Sequence, residues 1–99
     1  MSEIPMSMSI EIRFRGPLAT QAGMQSIRIE IGVGFNLRRA LQQLIDTNDS
    51  VKRIWTDPER IDREALILRN EVDVGVTGGL ETLLENDDKL VILPLVHGG

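Results

Sequence analysis

The chain has 99 residues, 41% of them hydrophobic and 26% charged, which suits one globular domain with a small core and excludes wholesale disorder. No apolar run approaches the about 20 residues of a membrane helix, and the absence of cysteine removes disulfides, thiol nucleophiles and thiolate metal sites. A net charge of −4, with Phe14, Phe35 and Trp55 as the only aromatics, argues against a phosphate-binding or base-stacking surface.

From Met8 the residues alternate. Met8, Ile10, Ile12 and Phe14 form an apolar side, and Ser9, Glu11, Arg13 and Arg15 a polar one. Period two predicts a half-buried strand, stopped by Gly16-Pro17. A loop through Thr20 to Gly23 is expected next. Ile27, Ile29 and Ile31 then alternate with Ser26, Arg28 and Glu30, a second strand that would pair with the first as an antiparallel hairpin. The period changes at Leu37: with Ala40, Leu41, Leu44 and Ile45 it forms one stripe on an α-helix, for which Asn36 is the expected N-cap. A short helical turn is read over Ser50 to Trp55, and a charged surface loop from Asp57-Pro58 to Glu64.

Ala65 to Arg69 reads as a third, more buried strand, and Asn70-Glu71 as a tight turn into a brief strand at Val72 to Val74. Leu80 to Leu84 is read as a short helical turn, Glu85 to Asp88 as a polar turn, and Leu90 to Leu95 as the last strand. Apolar residues on both sides of that strand mark it as central, pairing in parallel with the first. Leu90 and Ile92 would then face the helix, and Val91 and Leu93 the opposite face of the sheet. The order predicts an α+β protein of β-grasp type: a mixed four- to five-stranded sheet with one main helix on one face, as in ubiquitin. Residues 1–99 would form one such domain, with an ordered core over about 8–95 and a flexible tail over 96–99.

That last strand leads through Leu95, Val96 and His97 to Gly98-Gly99. A terminal Gly-Gly after a strand is an acyl group on a thin stalk, able to enter a narrow active site because glycine allows close backbone approach. His97, the only histidine, has no partner to orient it as a base and reads as a recognition residue. Glycines 75, 78 and 79 match no nucleotide-binding spacing, and the acidic set Glu85, Asp87 and Asp88 lacks the spacing of a calcium loop, so no bound metal or cofactor is expected.

The stretch from Gly79 to Gly99 carries leucines, an acidic turn, an apolar strand with Pro94, and Gly-Gly. In these features the chain resembles the ubiquitin-like sulfur carriers of the MoaD/ThiS type, and also ubiquitin-related modifier and the small archaeal modifiers. Two positions depart from that pattern. Asn86 stands where the family turn usually has glycine, and is expected to take its left-handed conformation. His97 replaces a small residue and is closer to ubiquitin-related modifier. The resemblance implies a protein cosubstrate and not an enzyme, activated by an E1-like adenylating enzyme that uses ATP; the lack of cysteine fits the expected cytoplasmic location. Gly99 would become an acyl-adenylate and then a thiocarboxylate donating sulfur to an acceptor synthase subunit, with molybdopterin synthesis the branch favoured by the last third of the chain. The same terminus would suit a modifier joined through Gly99 to lysines of target proteins; a plain ubiquitin-like interaction domain is the third reading. Val91, Leu93, Leu95, Val96, His97 and Gly98 are the expected partner-binding residues. Neither nucleic acid nor membrane is an expected partner.

Overall fold

In the computed structural model, which describes residues 7–95, five strands form one mixed sheet in the order β2-β1-β5-β3-β4. The strands are β1 (Ser7–Phe14), β2 (Ser26–Gly32), β3 (Ala65–Arg69), β4 (Val72–Asp73) and β5 (Lys89–Pro94). β1 and β2 form the expected antiparallel hairpin, with Ile12 opposite Ile27 and Ile10 opposite Ile29. β5 lies between β1 and β3, parallel to the first and antiparallel to the second. The apolar alternation of β1 is thereby converted into a buried row: Ile10, Ile12, Leu90 and Ile92 are fully buried on one face.

The helix over Leu37–Thr47 (α2) covers that face through Leu37, Ala40, Leu41, Leu44 and Ile45. Asn36 caps it as expected, its Oδ1 accepting from the Arg39 amide at 2.9 Å. Three shorter helices accompany it: α1 (Pro17–Ala22), α3 (Asp49–Ile54) and α4 (Pro58–Glu64). Two of these correct the sequence reading. The loop between β1 and β2 contains α1, which Pro17 opens and Gly23 closes in the left-handed conformation. The charged run after Asp57 is helix α4. Asp57 caps it by accepting from the Arg60 amide at 2.8 Å, and Pro58 supplies the preset first position. Its buried residues are Pro58 and Ile61 alone, set in a polar run, so its periodicity is too faint to read. The short helix before it, α3, falls where it was expected, and it is followed by Trp55, which is 1% exposed and belongs to the core.

β3 and β4 join through Asn70 and Glu71, both with positive φ (49° and 73°). That is the two-residue hairpin turn whose twist suits adjoining strands. The segment before β5 has a 3-10 turn at Gly79–Glu81 where a helical turn was expected. Within the polar turn, Asp87 and not Asn86 takes positive φ (67°). The Asn86 side chain instead ties the turn to β1, its Oδ1 accepting from the Ser9 amide at 2.9 Å.

Candidate functional site

The helices cover one face of the sheet, and the other face carries two of the expected site residues, Val91 and Leu93. Because side chains alternate along a strand, the core residues Leu90 and Ile92 of β5 place Lys89, Val91 and Leu93 on the uncovered face. Val91 and Leu93 therefore lie where the sequence put them. Each is half-buried, and each has an apolar neighbour on β3: Leu68 opposite Val91 and Leu66 opposite Leu93. These two leucines were missed because Ala65-Leu66-Ile67-Leu68 is continuously apolar and hides its alternation. The available signal was the pairing itself, since residues facing Val91 and Leu93 across an antiparallel ladder must share their face.

The stripe of Leu66, Leu68, Val91 and Leu93 is bordered by charge. One row across all five strands reads Ser26, Arg13, Val91, Leu68 and Asp73. A second reads Arg28, Glu11 and Lys89. Arg13 Nε donates to Glu11 Oε1 at 3.2 Å, and Arg28 donates to Ser9 Oγ at 2.9 Å. An open groove of about 600 Å³ runs along this border, lined by Arg13, Arg15, Asn70, Glu71, Asp87, Lys89 and Val91. An apolar strip with a charged rim is the composition of a protein-docking surface.

The start of β5 is fixed by Asp88, which is 4% exposed. Its Oδ2 accepts from Arg69 Nε at 2.7 Å and from the Glu85 amide at 2.8 Å, and its Oδ1 from Asn70 Nδ2 at 2.9 Å. Burial pushes the Asp88 carboxyl up, but these three donors outweigh it and hold the group below the ordinary carboxylate value. Asn70 in turn accepts from the Lys89 amide at 2.9 Å. The strand that carries Val91 and Leu93 is thus locked in register at its first residues. At its other end the Leu95 amide donates to the Glu64 carbonyl at 3.3 Å, and the Leu95 side chain is 40% exposed. The remaining expected residues, Val96, His97, Gly98 and Gly99, lie outside the described residues.

Among the described residues no three His, Cys, Asp or Glu side chains converge as a metal site, and no helix is long and apolar enough to cross a membrane.

No family model matches the chain, and no curated protein matches it in sequence. Solved structures do match. The solution structure of the HVO 2177 protein from Haloferax volcanii is similar with a TM-score of 0.74 and 23% identity, over 100% of this chain and 93% of that one. Small archaeal modifier protein 1 from Methanosarcina acetivorans is similar with a TM-score of 0.73 and 25% identity, over 94% of this chain and 98% of that one. A chain of the protein–protein complex of subunits 1 and 2 of molybdopterin-converting factor from Helicobacter pylori 26695 is similar with a TM-score of 0.59 and 24% identity, over 93% of this chain and 100% of that one. The fold is therefore α+β and of the ubiquitin-like β-grasp type. The second and third of these neighbours, by their names, fall in the group that the last third of the sequence resembles.

Proposed function

We propose that this protein is a ubiquitin-like carrier whose C-terminal Gly99 carboxyl is activated by a partner enzyme. The observation that carries the reading is the uncovered stripe of Leu66, Leu68, Val91 and Leu93, because half of it lies on β5, the strand that leads to Gly98-Gly99. Gly99 follows Leu93 by six residues, so a partner seated on that stripe holds the strand from which the terminus runs on. The groove lined by Arg13, Arg15 and Lys89 gives the same partner a charged rim to read.

The chemistry follows from the carboxylate. It is a poor acyl donor, so its oxygen attacks the α-phosphorus of ATP, diphosphate leaves, and an acyl-adenylate forms on the partner. Sulfur at the hydrosulfide level, HS⁻ released by a sulfur donor, then attacks the acyl carbon, AMP leaves, and a thiocarboxylate remains on Gly99; transfer of its sulfur to an acceptor and hydrolysis return the carboxylate. The carrier supplies only the acyl group and the docking surface, and the adenylating enzyme supplies the catalytic groups. Molybdopterin synthesis is the favoured acceptor branch, supported by the resemblance of residues 79–99 and by the likeness to a chain of molybdopterin-converting factor. The likeness to small archaeal modifier protein 1 supports a second outcome for the same activated carboxyl, attack by a lysine amine and an isopeptide bond to another protein.

Intact-mass spectrometry after incubation with the cognate activating enzyme, ATP and a sulfur source tests the reading. Exchange of one terminal oxygen for sulfur is the expected result. A Gly-Gly remnant on lysines of other proteins identifies the modifier. An unchanged mass with no conjugates leaves a non-covalent interaction domain and overturns the proposal.

A further inference from the structure

We propose that the outer edge of β2 is a self-association surface, which pairs antiparallel with β2 of a second copy so that Arg28 of each copy lies opposite Glu30 of the other. β2 stands at the edge of the sheet. The β1–β2 ladder decides which of its backbone groups face outward. Phe14 N–H donates to the Gln25 carbonyl at 2.9 Å, which makes that pair a hydrogen-bonded one. Antiparallel pairs alternate, so Ile27, Ile29 and Ile31 spend their backbone groups on Ile12, Ile10 and Met8. The amides and carbonyls of Ser26, Arg28 and Glu30 therefore point away from β1. The Glu30 carbonyl accepts from the Gln43 side chain and keeps a second lone pair. Beyond it the strand ends at Gly32, whose carbonyl accepts from the Phe35 amide at 3.2 Å as the chain turns away.

Charge favours one register, the only one centred on Arg28, Ile29 or Glu30 that sets opposite charges together. A two-fold axis at Ile29 sets Arg28 opposite Glu30 twice, and each pair can exchange both backbone bonds. Moving the axis to Arg28 sets arginine against arginine, and moving it to Glu30 sets glutamate against glutamate. Both alternatives place like charges directly opposite, which destabilises a pair. Exposed Glu30 joins none of the ion pairs formed among the described residues. Arg28 donates to Ser9 Oγ at 2.9 Å and lies 3.6 Å from Asp87 Oδ1, both exposed contacts that it would exchange for Glu30 of the second copy. β1 separates this edge from β5. Association would therefore extend the sheet without covering Leu66, Leu68, Val91 or Leu93, and one assembly would present two activatable termini.

Sedimentation velocity across a concentration series up to the millimolar range tests this. The weight-average mass is expected to rise from 11.1 kDa toward twice that value. Arg28→Glu alone and Glu30→Arg alone should each abolish the rise, and the double reversal should restore it. Amide exchange in the unaltered chain provides a readout free of folding defects: the Arg28 and Glu30 amides should gain protection as concentration increases. A chain that stays monomeric throughout, a double reversal that folds but does not associate, or protection that falls on another surface would each overturn the proposal.

Discussion

Arg69 on β3 and Asp88, one residue before β5, are joined across the sheet by a 2.7 Å hydrogen bond from Nε to Oδ2, and the carboxyl that accepts it is nearly excluded from solvent. With the Glu85 amide and Asn70 as further donors, this one carboxylate joins the β3–β4 hairpin to the turn that launches the central strand. Its value lies in being charged. Replacing Asp88 by Asn turns one acceptor into a donor facing Arg69 or the Glu85 amide, and should cost about 2–3 kcal/mol in urea unfolding at neutral pH. The sign with pH is fixed by the depressed carboxyl. The stabilisation is complete above the unfolded-state pKa of about 4 and fades as pH falls through the lower folded-state value. The difference between parent and Asp88→Asn should therefore shrink in acid; a difference that grew in acid would contradict the assignment.

The uncovered stripe makes a separable prediction. Leu68 is half-buried on the face away from the helices, opposite Val91. Leu68→Asp should keep the fold, as judged by circular dichroism and a cooperative melt, while weakening binding of the activating enzyme at least roughly tenfold, the loss expected of a central apolar anchor. Leu83→Asp is the control: Leu83 is 67% exposed and lies outside the sheet, in the segment bridged to Asn36. Equal loss of binding in both variants, measured by titration calorimetry, would remove the stripe from the docking surface.

The parts of this fold that sequence made legible are those with a clean period. Met8 to Phe14 and Ser26 to Ile31 alternate without interruption, and Leu37 to Ile45 hold a helical stripe, so the hairpin and α2 were readable together with the Asn36 cap. The illegible parts lack a period. In α4 only Pro58 and Ile61 are buried, Ile61 set among Glu59, Arg60, Asp62, Arg63 and Glu64, and the helix is announced only by its Asp57-Pro58 start. β3 is apolar on both faces, so its composition does not separate Leu66 and Leu68, which the sheet turns outward, from Ala65 and Ile67, which it buries. In the turn before β5 composition pointed to Asn86 for the left-handed residue. The side chain of Asn86 is instead held by the Ser9 amide, and Asp87 takes the positive φ. Tertiary contacts outweighed local preference there.

Gly32, where β2 ends, is required by a neighbour. A Cβ built there would meet Phe35 Cε1 at 2.7 Å, closer than packed carbon atoms allow. Phe35 has little freedom to withdraw, since the Arg39 guanidinium lies 4.2 Å from its ring centroid and the ring packs against the core. Gly32→Ala should therefore lower stability by about 1–3 kcal/mol in chemical denaturation, in the range of core overpacking. Pairing it with Phe35→Leu should recover part of that loss. Strict additivity in the double variant would mean that the two sites do not touch.

The last prediction separates the terminus from the fold. Gly98 and Gly99 have no side chains to bury, and among the described residues Leu90 and Ile92 are the last fully buried members of the core. Removing both glycines should leave unfolding free energy within about 0.5 kcal/mol of the parent, as for changes remote from the core. Formation of an acyl-adenylate with the partner enzyme and ATP should vanish altogether, because the carboxyl then sits two residues short of its target. Gly98→Ala should retain stability and slow adenylation, since a Cβ restricts both the backbone angles and the width of the stalk. The decisive comparison is the melting temperature of the shortened chain against its diphosphate release with the activating enzyme. If the two fell together, the terminus would be part of the folded core, and the proposal that it is a transferable acyl group would fail.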